Sequence, residues 1–235
     1  MRVPLCITIS IFWAGFAGFA TEPVPIVTSR WDWAAAKFYR DAESDLSKGD
    51  LEGAHRNVGE ALRRAPSFWP ILYTRAKLFS RERKWDLAIR DCNEVLRQYS
   101  AWAPAALLRA QINAHIGNYA AARREFDHVI EIEPRKEFYG MAFDARAWFR
   151  ATCPDTSFRN PQGAINDAKK ACTMTQWKEA NPLDTLATAY AAVSDFDSAV
   201  RYDQQAMQAY DAGPMSQTLQ QHLAMFKQHR PVRIK

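Results

Sequence analysis

Small apolar residues mark this chain at a fixed interval. Ala54, Ala88 and Ala122 stand 34 residues apart, and Ala42, Ala76 and Ala110 keep the same interval earlier in each unit. Self-similarity at such a period is the signature of a repeat architecture. The two alanines of a unit lie 12 residues apart, which suits two antiparallel helices that approach closely where side chains are small. Turn signals fall between them, Lys48-Gly49-Asp50 in one unit and Ile116-Gly117-Asn118-Tyr119 in another. Pro66 and Pro134 each follow the second alanine by 12 residues, where they stop the second helix.

The pattern continues with one irregularity. Ala147 follows Ala110 by 37 residues and Ala164 follows Ala147 by 17, so the fourth unit gains three residues before its first helix and five in its turn, Cys153 to Asn160. A fifth unit returns to register with Leu183, Leu186, Ala187, Tyr190, Phe196 and Ala199. Gly213 and Pro214 then break the chain, and Ser216 to Arg230 reads as an amphipathic helix with Leu219, Leu223 and Phe226 on one face. A solenoid needs such a terminal cap. Residues 21–32, with Pro23 and Pro25, read as a short extended linker, and Trp31 and Trp33 are placed to cover the open end of the first unit.

A period of 34 with this layout resembles the tetratricopeptide repeat, whose pattern sets Leu-Gly, Tyr, Ala, Phe and Pro at fixed offsets. The third unit carries Ala122, Phe126 and Pro134 at that spacing, and matches stay in phase over residues 35–212. The fourth unit is similar to a variant found in some exported bacterial repeat proteins. There a widened Ala-Thr-Cys-Pro-Asp turn, here Ala151 to Asp155, precedes a helix ending in Ala171-Cys172 and then Leu183-Asp184-Thr185-Leu186-Ala187. The resemblance implies an all-α, right-handed solenoid of five helix-turn-helix units over residues 33–212. It also implies a capping helix over 213–229, a basic tail over 230–235, and a protein-binding role without catalysis.

One charge pattern inside the repeat is independent of the family. Arg75, Arg109 and Arg146 occupy the same first-helix position in the middle three units, where the family usually has Leu, and Asp91, Glu125 and Asp167 follow on the second helix. Where the arginine is missing, at Asp41 and Leu186, the acid is missing too, at Asn57 and Tyr202. Co-occurrence across five internal copies predicts three partly buried Arg to carboxylate pairs, each tying a first helix to a second helix in its own or an adjacent unit. Arginine suits such a role through its bidentate geometry. An alternative use is a ladder that receives an acidic ligand.

The resemblance also places a concave binding groove on the first helices. Its positions fall on Tyr39 and Glu43, on Tyr73, Lys77 and Arg81, on Gln111 and His115, on Asp144 and Trp148, and on Asp184 and Thr188. This mixture of aromatic, cationic and anionic groups suits an extended protein or peptide segment. Tyr39, Tyr73 and Trp148 equally suit packing between neighbouring first helices. The Lys and Asn that grip a carboxyl terminus in one subfamily are replaced by Tyr39 and Glu43, so that mode is not expected.

Charge and composition add limits. The net charge of +5 is spread over helix surfaces, and only Lys227, Arg230, Arg233 and Lys235 gather positive charge without acids between, a candidate for anionic surfaces. Nucleic acid is not expected as a partner of so mixed a groove. Arg2 followed by an apolar run from Leu5 to Ala20 has the layout of a secretory signal peptide over residues 1–20. It is shorter than the roughly 20 apolar residues that cross a bilayer, which predicts export to a periplasm or beyond; a retained anchor is the alternative. Cys92, Cys153 and Cys172 then remain, and helix geometry sets the last two too far apart to pair unless the widened turn folds back. The five histidines are scattered over separate helices, no Gly-rich phosphate loop or nucleophile elbow is present, and so no metal, cofactor or catalytic group is expected.

Overall fold

The computed structural model describes residues 33–132, 136–210 and 214–234. Eleven helices occupy them: α1 (Trp33–Lys48), α2 (Leu51–Arg64), α3 (Trp69–Arg81), α4 (Trp85–Gln98), α5 (Ala103–His115), α6 (Tyr119–Ile132), α7 (Lys136–Thr152), α8 (Pro161–Met174), α9 (Ala180–Ala192), α10 (Phe196–Gln208) and α11 (Pro214–Lys227). Helices α1 to α10 pair as five antiparallel hairpins. The expected leader and linker, Trp31 and Pro134 lie outside the described residues.

The local chemistry accounts for the boundaries. Asp50, Asn160 and Asp195 cap α2, α8 and α10 by accepting the backbone N–H of Gly53, Gly163 and Ser198, satisfying donors the helix itself leaves free. Prolines near the start of α3, α5 and α8 cost no hydrogen bond there. Hairpin turns are closed by a residue in the left-handed region, Gly49 at φ 79°, Arg83 at 59°, Gly117 at 84° and Ser194 at 64°. Glycine adopts this freely, whereas Arg83 and Ser194 carry a modest steric cost.

The repeating alanines are the helix contacts. Ala42 and Ala54, Ala76 and Ala88, Ala110 and Ala122, Ala147 and Ala164, and Ala187 and Ala199 are at most 1% exposed. Around them larger groups such as Ile71, Leu78, Leu108, Phe126 and Phe149 fill the spaces between hairpins. First helices of successive hairpins touch in the order α1, α3, α5, α7, α9, α11, while second helices pack on the first helices rather than on each other. The first helices therefore line the inner, concave side of the curved stack.

The fourth hairpin absorbs its insertions locally. α7 has 17 residues, and the enlarged turn folds into a 3₁₀ turn, Thr156–Phe158, started by Asp155 accepting from Ser157. Phe158 lies against Tyr119 and under the Arg123 guanidinium on α6. Beyond α11 the basic tail is docked. The Ile234 N–H donates to the Thr152 carbonyl at 2.9 Å, Arg233 donates to the Ala151 carbonyl, and Val232 is buried against Ala187, Ala191, Ala199 and Phe226. Two apolar residues among the cations, Val232 and Ile234, hold it down.

The inner face and its two sets of acids

The arginines stand on α3, α5 and α7 at the seam between hairpins. Arg75 grips Asp91 with two hydrogen bonds of 2.7 Å, Arg109 pairs with Glu125, and Arg146 grips Asp167 with two bonds of 2.9 Å. Each pair lies within one hairpin. Asp91 and Asp167 are almost wholly buried, so the guanidinium is what makes an ionised carboxylate tolerable there. The hydrogen bonds to Asp91 raise the Arg75 pKa. Burial works against the Arg146 charge, but Asp167 and Asp127 outweigh it and its pKa is raised.

A second reach extends each later arginine backwards. Arg109 also donates to Asn93 on α4, and Arg146 to Asp127 on α6 at 2.8 Å. Arg150, one turn further along α7, joins both Asp127 and Asp167. The guanidinium thus bridges its own hairpin to the one before.

Along the first three units the expected groove positions fall between neighbouring first helices. Glu43 on α1 accepts two bonds from Lys77 on α3, at 2.6 and 2.7 Å, and another from Thr74. Lys77 is buried, with its ammonium 5.1 Å from the Tyr73 ring centroid. Arg81 donates to the Leu46 carbonyl, and burial lowers its pKa. Tyr39 meets Phe68 edge-on. His115 stacks on Trp85 at 5.8 Å and 9°, and burial with the nearby Arg83 lowers its pKa. Tyr39, Glu43, Tyr73, Arg81, Gln111 and His115 all keep part of their surface open.

The last two units differ. Asp144, Asp184 and Thr188 are buried, the last two completely. α11 reaches Asp184: His222 Nδ1 meets Asp184 Oδ1 at 2.7 Å, and its ring is 5.8 Å from that of Trp148 on α7. Asp203 on α10, also 0% exposed, faces Asp184 from the other side. Among the described residues, Asp144 Oδ1, Asp184 Oδ2 and both Asp203 oxygens meet no hydrogen-bond donor. Burial, with Asp184 and Glu179 adding repulsion, pushes Asp144 up to about 7. Burial and the adjacent Asp184 push Asp203 up to about 9. Burial opposes charge on His222, but Asp184 outweighs it and its pKa is raised.

A signal for Asp203 does exist in the repeat register. The equivalent position holds Val58, Cys92, Phe126 and Ala168 in the other units, all core residues. An acid in a core slot is an anomaly that calls for a partner.

Other chemistry is sparse. Cys92, Cys153 and Cys172 are buried free thiols, and burial pushes Cys92 and Cys172 up to about 12. Among the described residues no group of three or more His, Cys, Asp or Glu side chains is placed to hold a metal ion, and no helix is long and apolar enough to cross a membrane.

No protein-family model matches the sequence, and no curated protein does. Solved structures do. A TPR protein of Thermus thermophilus superposes with a TM-score of 0.70 at 14% identity, over 83% of this chain and 99% of the other. The Cut9-Hcn1 hetero-tetramer of the APC/C gives 0.68 at 16% identity over 83% of this chain, which spans only 36% of the matched one. Pseudomonas aeruginosa pilF gives 0.62 at 16% identity over 83% and 89%. With five paired-helix units in phase and these neighbours, the chain has the tetratricopeptide-repeat fold.

Proposed function

We propose that this chain is a non-catalytic scaffold that holds a protein or peptide partner on the inner face of its first three hairpins. The observation that carries the reading is the contrast in cover along that face. Tyr39, Tyr73, Arg81, Gln111 and His115 stay partly open, whereas Asp144, Asp184 and Thr188 of the last two hairpins are buried, with His222 of α11 on Asp184. Aromatic rings interleaved with charged and amide groups suit an extended segment read by side-chain anchors and polar contacts. Nucleic acid fits this mixed charge poorly. The Arg2 and Leu5 to Ala20 leader pattern supports work in a periplasm or cell envelope.

Affinity capture with crosslinking from an envelope fraction tests the reading. Tyr39→Ala, Gln111→Glu and Tyr73→Ala are expected to weaken capture of the same partner by roughly tenfold each at anchor positions. Unchanged capture in all three would move the site off this face. A second reading, an accessory subunit of an envelope enzyme, is favoured if the captured partner is an enzyme whose rate changes on adding this chain. Sequencing the amino terminus of the mature protein checks the export reading.

A further inference from the structure

The covered end of the inner face is built unlike the rest of the molecule. Around Asp184 the titratable groups come from every neighbouring element: Asp144 from α7, the Cys172 thiol from α8, Glu179 and Asp184 from α9, Asp203 from α10 and His222 from α11. Only His222 in that set can carry positive charge. Four carboxylate oxygens there face no donor. Two adjacent carboxylates cannot hydrogen-bond each other unless one holds a proton, and a buried site with a single histidine as countercharge favours their keeping it.

We propose that α11 and the tail form a proton-held cover over the inner face of hairpins four and five, docked while Asp144, Asp203 and His222 keep their protons around Asp184 and released as those protons are withdrawn. The cover has the necessary parts. His222 is its only polar plug into the acid pocket among the bonds described, at 2.7 Å from Asp184. Phe226 and Val232 seat its apolar side, and Ile234 closes it on Thr152. Lifting it exposes Trp148, Asp184 and Thr188, and so doubles back on the binding face proposed above. The docking itself does not depend on that reading.

The direction of the switch follows from three groups that agree. Asp144 at about 7 and Asp203 at about 9 hold protons in the docked state that they release in water at ordinary carboxylate pH. Docking is therefore favoured at low pH and weakened as pH rises from the carboxylate range through those values. His222, raised by Asp184, adds docking strength that is present below its ordinary pKa and lost as pH rises through the raised one. The cover is closed in acid and opens towards alkali.

Hydrogen exchange on the full chain at about pH 6 and about pH 9, corrected for intrinsic rate, tests this. Protection of α11 relative to α4 in the same molecules is expected to fall by roughly tenfold or more across that interval. Asp203→Asn, which cannot ionise, is expected to remove most of the fall, and Asp144→Asn part of it. Equal α11 protection at both pH values overturns the proposal, as does a full-sized fall in both variants. The wild-type comparison decides the matter even if a variant fails to fold. Loss of partner capture with an intact pH response overturns the binding reading alone.

Discussion

Two sets of buried acids sit in the same solenoid and live under opposite rules. Asp91, Glu125 and Asp167 have an arginine each, at the seams of hairpins two to four. Asp144, Asp184 and Asp203 lie at the carboxyl-terminal end, where a single histidine, His222, meets Asp184. Asp91 and Asp167 are as buried as Asp144, so burial alone does not separate the sets. The guanidinium beside each acid of the first set makes it a fixed strut, whereas burial and neighbouring acids push Asp144 and Asp203 up and make them proton carriers. The register shows the change: the position held by Tyr39, Tyr73 and Leu107 becomes Asp144 and Asp184 in the last two units.

The comparison breaks most sharply if a strut is made to resemble the other set. Arg75→Leu leaves Asp91 buried without its partner, and is expected to cost about 3 kcal/mol of stability, seen as a lower urea midpoint. The lower end of the usual range applies because a third of the Arg75 side chain meets water, at 33% exposure. The reverse exchange sharpens it. Asp203→Val restores the kind of residue found at Val58 and is expected to stabilise by about 1–2 kcal/mol near neutral pH, since it removes a buried acid with no donor. A destabilised Asp203→Val protein would mean that Asp203 is better satisfied than its surroundings suggest. Removing both members of a strut, Arg75→Met with Asp91→Leu, is expected to fall within about 1 kcal/mol of the parent. The smallest effect concerns the thiols, Cys92 near Arg109 and Cys172 near Asp144. Both are pushed up to about 12, so neither is expected to react with a thiol reagent at neutral pH until the chain unfolds.

Much of this architecture was written in the alanine spacing, because helix contact at a small residue repeats whenever the hairpin repeats. The strut acids were legible for a related reason: Arg and acid come and go together, and only spatial contact makes that necessary. Asn93 and Asp127 were not, since a polar residue on a second helix looks like any solvated surface. The cover over Asp184 and Thr188 was equally hidden. An amphipathic pattern over 216–230 states that a helix needs an apolar neighbour but not where it lies; the His222 to Asp184 contact and the seat for Phe226 decide that. In the tail, four cations drew the eye, while the residues that dock it are Val232 and Ile234.

The clasp of the tail on Thr152 has a consequence for the order in which the molecule comes apart. A solenoid lives on nearest-neighbour contacts, so its ends fray independently of its middle. The Arg233 to Ala151 bond joins residues 82 apart in sequence, gathering α7 to α11 into one closed loop. Such a long closure forms late in folding, after the local hairpins that it ties together. Once formed, it makes the carboxyl-terminal half a single cooperative block, and α1 and α2 the end from which unravelling begins.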